Sequence, residues 1–292
     1  SNMNLGLSYG ATLISTSAII GFGGLAGWIG FAIPLTMVIP FVGLIYFATV
    51  YIGPKVHRAN KEIKAKTYIE MIGKHYNSPM ISKLLAIITV GLIPFYCVAV
   101  LIGVGKFITA FTGIDFALAV VGFSVVVFAT IAYGGMNAVL KNDMVQGIIV
   151  IVGSLIVLAI TVFSHMQAPG FWEHLASAWT AVPEGNALHK LGFTSFTTWP
   201  EFWSRGWLMI ITLLVFTIPV GLITLPQLQT RWMLAKDEDS FKTIARWGII
   251  IPGLAIVTFM LAAISANSYT FSTEGVTVAQ AAGGTAGIVP YW

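Results

Sequence analysis

Titratable side chains are scarce within the apolar stretches of this 292-residue chain, so the few present narrow the chemistry available. Asp143 stands just ahead of the apolar run 144–164, and Lys106 lies inside another run. A carboxylate beside a low-dielectric medium is costly unless it serves a cation, whereas a lysine there attracts an anionic group or snorkels to the interface. A plainer role for Asp143, as an acid favoured by a helix N-terminus, stays open beside the first. The remaining polar groups are neutral. Ser8, Thr12, Ser15, Thr16 and Ser17 are interleaved with Gly6, Gly10, Gly21, Gly23, Gly24 and Gly27, and a second interruption reads Ile218-Pro219-Val220-Gly221, with Leu225-Pro226 below it. Glycine and proline that interrupt an apolar helix release main-chain carbonyls and amides, and such oxygens suit a hard cation or a polar solute. Small residues also serve close helix packing, and prolines kink helices. Cys97 sits in an apolar run and the five histidines are scattered, so neither a disulfide framework nor a Cys/His metal set is expected. With no nucleophile–base pair in any span, no enzyme activity and no cofactor are expected.

The elements that must carry these groups follow from solvent. Charged residues make up 9% of the chain against about 25% in soluble proteins, hydrophobic residues reach 57%, and mean hydropathy is +0.87. From Leu5 to Gly53 no Asp, Glu, Lys, Arg or His occurs, which is room for two bilayer crossings. Apolar runs and polar breaks predict seven membrane helices, near 5–29, 31–52, 84–112, 116–134, 144–164, 206–229 and 247–267. Such runs are too long for a strand barrel. The piece from Thr67 to Lys74 reads as a short amphipathic surface helix. Twelve of the fifteen Lys and Arg residues fall in one set of alternate loops, from Lys55 to Lys83, at Lys141 and from Arg231 to Arg246; Lys190 and Arg205 lie on the other side, with Lys106 within a span. The basic side is expected to be cytoplasmic, and the loop over 165–205, with Trp172, Trp179, Trp199, Phe202 and Trp203, to form an outer interfacial cover. The positive balance therefore reads as topology; no nucleic-acid partner is expected.

Three segments resemble the sodium:solute symporter family. Gly134-Gly135-Met136-Asn137-Ala138-Val139-Leu140-Lys141-Asn142-Asp143-Met144-Val145-Gln146 is similar to its GGxxAVxxxDxxQ signature. Leu225-Pro226 through Arg231 to Ala235-Lys236-Asp237 is similar to the stretch that closes its sixth core helix. Ala11-Thr12-Leu13-Ile14-Ser15 running to Gly21-Phe22-Gly23-Gly24 is similar to its broken first core helix. The resemblance covers nearly the whole chain.

It implies an all-α integral membrane protein of about seven transmembrane helices, part of a LeuT-type inverted-repeat bundle with spans one and six broken, and a single transporter core over 1–292. It also implies a helix before Ser1 and further core helices after Trp292, one of which supplies sodium ligands. The activity implied is sodium-coupled symport of a small organic solute across the cytoplasmic membrane, a pantothenate- or monocarboxylate-like anion being favoured; sodium, the solute and the lipid bilayer are the partners. Carried over by position, the Ala11 and Ile14 carbonyls bind sodium and Asp143 lies on its exit path. Ser17, Ala18, Gly21, Val220 and Gly221 line the solute pocket, and Lys106 is a candidate for the solute's carboxylate. Leu13 and Ala18 depart from the proline and sugar members. The alternative is a symporter-like sensor domain joined to a signalling kinase.

Overall fold

The computed structural model describes residues 2–14 and 16–291, and their side chains except at 16, 17, 39–41 and 135–138. Among the described residues all regular structure is helical and no strand occurs. Lipid offers no hydrogen-bond partner to the backbone, so a chain this apolar must satisfy its amides and carbonyls internally. Six helices are long and apolar enough to cross a membrane, at Ala32–Ile63, Pro79–Thr112, Phe116–Gly134, Val139–Met166, Arg205–Ile223 and Ser240–Glu274. A seventh crossing is the bent pair Asn2–Leu13 and Ala18–Ile29, with 49° between its halves. In order and position these match the seven expected spans.

The first span comprises α1 (Asn2–Leu13) and α2 (Thr16–Ile29), and the second α3 (Ala32–Phe47) continuing into α4 (Gly53–Ile63). The expected surface helix is α5 (Tyr68–His75). Thr67 caps it by accepting the Glu70 amide at 3.2 Å, and Glu70 pairs with Lys74 one turn on. The third span is α6 (Pro79–Thr112). Spans four and five share one helical backbone, α7 (Phe116–Ile160), across the glycine pair expected to part them. Glycine costs only about 1 kcal/mol in a helix interior and no proline intervenes, so nothing local forces a break. A straight helix of that length would reach about 68 Å, twice a bilayer core. Phe116 instead lies over Gly105 near the end of α6, and Phe107 and Phe111 share a cavity with Val157 and Ile160, so the two stretches are not collinear.

The connection over 165–205 carries α8 (Phe171–Ser177), packed against the long helix Ser240–Glu274, and α9 (Ala187–Lys190). Gly30 makes its close approach possible: with φ +95° and no Cβ, it admits the Phe196 carbonyl, which accepts the Phe31 amide at 2.8 Å. The sixth span follows as α10 (Arg205–Met209), a π-helical stretch Ile210–Thr217, α11 (Ile218–Ile223) and, after a break, α12 (Pro226–Met233). Its break differs from expectation. Ile218 to Gly221 stay helical, because Pro219 sits in the first turn of α11 where no donor is needed, and the wider π turns before it relieve the ring's clash with a preceding carbonyl. The chain opens at Thr224–Leu225 instead: Leu225, ahead of Pro226, is extended, and the Gln229 side-chain amide donates to the released Ile223 carbonyl.

The long helix α13 (Ser240–Glu274) is the axis against which α1, α2, α3, α7 and α8 pack. Its first turn is held by Asp237, whose carboxylate accepts the Ser240 hydroxyl at 2.6 Å and the amide at 2.9 Å; these bonds keep its pKa below the ordinary carboxylate value. Close approach again needs glycine. A Cβ at Gly10 would collide with Ile251 and the Trp247 carbonyl, and one at Gly24 with the Thr285 carbonyl, in the segment leading from α14 (Val278–Ala281) to α15 (Ile288–Tyr291). By contrast, α6 and the first half of α7 expose large apolar side chains such as Val90, Phe95 and Phe128.

At the other end of the bundle α4 and α5 pack on α12, and Arg58 reaches Glu238 at 2.9 Å, so the two most basic loops share one face. In a Cys97→Ala protein, Glu62→Cys and Asp239→Cys are expected to resist an impermeant thiol reagent in intact cells and to react after permeabilisation. Labelling of both from outside would invert the topology.

Candidate site at the inner mouth of the first span

Three elements meet near the inner end of the first span. Asp143 projects from α7, Arg231 from α12 and Ser8 from α1, and they form one hydrogen-bonded cluster. The Arg231 Nη2 donates to Asp143 Oδ2 at 2.6 Å. Ser8 Oγ donates to the same oxygen at 2.9 Å while accepting from Arg231 Nε at 3.2 Å. Arg231 Nη1 donates to the Gln227 carbonyl at 2.7 Å, which anchors the guanidinium on its own helix. Thr12 has a single proton; its hydroxyl lies 2.7 Å from the Ser8 carbonyl and 3.4 Å from Asp143 Oδ2, so the carbonyl is its better acceptor.

The pair is buried, with side chains 8% and 14% exposed. An ion pair taken out of water gives little net stability, but removing one partner strands a charge and costs about 3–5 kcal/mol. Asp143 lies within α7, and its carboxylate is bonded to the Arg231 guanidinium and the Ser8 hydroxyl. Arg231, counted in the sequence only as a topology charge, is turned inward as the carboxylate's counter-ion. Its signal was present: an arginine closing an apolar run, in a chain whose spans hold very few acids. Beside the cluster a cavity of about 480 Å³ opens at the inner mouth, bounded by Asn2, Leu5, Lys141, Met144 and Lys236 among others. Chemically, the arrangement is a latch joining spans one, five and six, in which the bonds from Arg231 and Ser8 both fall on Asp143 Oδ2.

The other sequence candidates are placed as follows. Ala11 and Ile14 are half-buried at the end of α1, where the Ile14 amide donates to the Ala11 carbonyl at 3.2 Å, leaving that oxygen a second lone pair. The side chain of Ser17 lies outside the described residues. Ala18 is half-buried, and Gly21 borders a cavity of about 420 Å³ with Leu25, Trp28 and Thr285. Gly221 has open space where a Cβ would be, and Val220 is exposed. Lys106 is exposed on the flank of α6 while Gly103, Val104 and Gly105 face inward, so it is not turned into the bundle. The structure thus brings Asp143 together with the first span.

Arg231→Gln and Asp143→Asn are each expected to lower the thermal midpoint, and the double variant to recover much of the loss because no charge is left unpaired. A coupling of about 1 kcal/mol or more in this double-mutant cycle is expected. Strictly additive losses would show that the two side chains act independently.

Comparison with known proteins places this geometry. The family model for the sodium:solute symporter family matches residues 1–289. The uncharacterized symporter YwcA of Bacillus subtilis (strain 168) is 25% identical over 162 residues, which is 54% of this chain and 30% of that protein, so the chain spans about a third of that relative's length. The match takes in the bent first span and both segments that supply the Asp143–Arg231 latch, and the chain belongs to the sodium:solute symporter family.

Proposed function

We propose that the protein of which this chain is part carries a small organic solute across the cytoplasmic membrane together with sodium, by alternating access around the break in the first span. The observation that supports this most directly is that bent span, whose inner half is tied through Ser8 to a buried carboxylate and its arginine. In this reading sodium is held at mid-depth by main-chain oxygens of Ala11 and Ile14, and passes Thr12 and Ser8 towards Asp143. Arrival of the ion at Asp143 loosens Arg231 from it, and the inner mouth opens; return of the guanidinium closes the mouth after release.

The solute is proposed to be a carboxylate. The inner cavity is bordered by Lys141 and Lys236, a setting that favours an anion leaving towards the cytoplasm. Energetics then bear on stoichiometry. One sodium crossing about 100 mV supplies about 2.3 kcal/mol and a tenfold gradient adds about 1.4 kcal/mol, sufficient to concentrate a neutral solute several hundredfold. For a monovalent anion carried with one sodium the electrical part cancels, leaving about tenfold, so useful accumulation of an anion calls for a second cation.

In proteoliposomes holding the full-length protein, uptake is expected to follow an imposed sodium gradient and to ignore a pH gradient of the same size. Asp143→Asn is expected to raise the sodium concentration for half-maximal uptake. Uptake driven by the pH gradient without sodium would refute the coupling, and an unchanged sodium half-saturation in Asp143→Asn would remove the carboxylate from the ion's route.

A further inference from the structure

Most hydroxyls within the spans have a simple partner, the carbonyl one turn back: Thr12 to Ser8, Ser124 to Val120, Thr130 to Val126, Thr212 to Leu208 and Thr270 to Ala266. Three buried hydroxyls do not, at Thr109, Ser154 and Thr258, and no hydrogen-bond partner is found for them among the described residues. Thr109 lies one turn past Gly105, on the side of α6 that faces Phe116. The other two belong together.

Helix α7, with the π-helical turn Thr161–Met166 that continues it, runs beside α13 and keeps one offset from it. Near the inner end Gly147 lies against Ile251, and near the outer end the rings of His165 and Tyr269 are 6.4 Å apart; members of both pairs are 104 positions apart. Ser154 and Thr258 are also 104 positions apart and fall between these two contacts, at one height. Each is seven residues, two turns, beyond the Gly147–Ile251 contact and therefore on the same helix face as it. That face looks at the first span. Gly147 meets the Leu7 carbonyl and Ala11, Gly10 meets Ile251, and further out Gly23 meets the Phe259 carbonyl. The break after Leu13 lies between those levels, so the interrupted backbone of span one and two hydroxyls with no partner among the described residues fall at one level.

We propose that Ser154 and Thr258 supply side-chain oxygens to a monovalent alkali-cation site at the first-span break; this rests on the sodium coupling proposed above and assigns to it two ligands beyond the Ala11 and Ile14 carbonyls. Two facing hydroxyls left without partners in a dry core are destabilising, and a cation between them uses their lone pairs without needing a proton acceptor. Neutral hydroxyl and carbonyl oxygens with no carboxylate at that height favour a single positive charge over a divalent ion. A cavity of about 780 Å³ is lined by Val157 and Ile160 on α7 and by Phe259 and Ala262 on α13, about one turn from the pair. A departure exists below, since Asp143 is one turn inward of Gly147 on the same face of α7.

The test is the rise in thermal midpoint that sodium chloride produces in the purified full-length protein, with choline chloride holding ionic strength constant. Ser154→Ala and Thr258→Val are each expected to raise the sodium concentration for half-maximal stabilisation about tenfold or more. Thr258→Ser should restore it, and Thr109→Val, which removes the third unpartnered hydroxyl, should leave it unchanged. Melting curves without sodium report folding of every variant separately. If the unaltered protein responds to sodium and both substitutions keep its half-saturation, the hydroxyl pair only packs or holds water and the assignment is overturned, with sodium coupling intact. No response to sodium in the unaltered protein would overturn both readings.

Discussion

Inside the inner half of the bundle a guanidinium and a carboxylate hold each other, with one serine hydroxyl bonded to both. Neither charge could stay there alone, because stranding one in a low-dielectric core costs several kcal/mol. Their mutual dependence fixes the mutual placement of α1, α7 and α12, which come from distant parts of the sequence. Parting the three elements would leave each charge of the pair to be compensated by some other group.

The same scarcity of alternatives explains the breaks. A membrane helix can be interrupted only where something takes over the released backbone groups. At Thr224–Leu225 that is the Gln229 side chain on the Ile223 carbonyl. The break after Leu13 has the Ile14 amide folded back on the Ala11 carbonyl, beside two hydroxyls that bond to nothing described.

Particular segments show how far the residues could be read unaided. The run from Leu5 to Gly53 without a charge announced two crossings, Thr67 with Glu70 and Lys74 announced a capped surface helix, and the interrupted pattern around Ser15 announced a bent first span; all three depend on local composition and helical period. Pro219 misled, since a proline marks a break only if the preceding turns cannot widen, and here they adopt π geometry. Gly134-Gly135 did not interrupt the helical backbone either, because glycine weakens a helix by little unless something competes for its backbone. Arg231 was legible as a charge on the basic side, but not as the partner of Asp143.

What the sequence by itself determined is the solvent and the count: hydropathy compels helices, their number and their order. Those are sums over neighbouring residues and need no knowledge of distant ones. The tertiary structure alone decided which polar groups are satisfied. Asp143 acquires Arg231 across 88 positions, Ser8 reaches Asp143 across 135, and Ser154 meets the level of Thr258 because two helices keep one register over several turns. Pairing of that kind depends on which faces of separate helices are pressed together, and helical periodicity within each segment carries no information about the partner it will find.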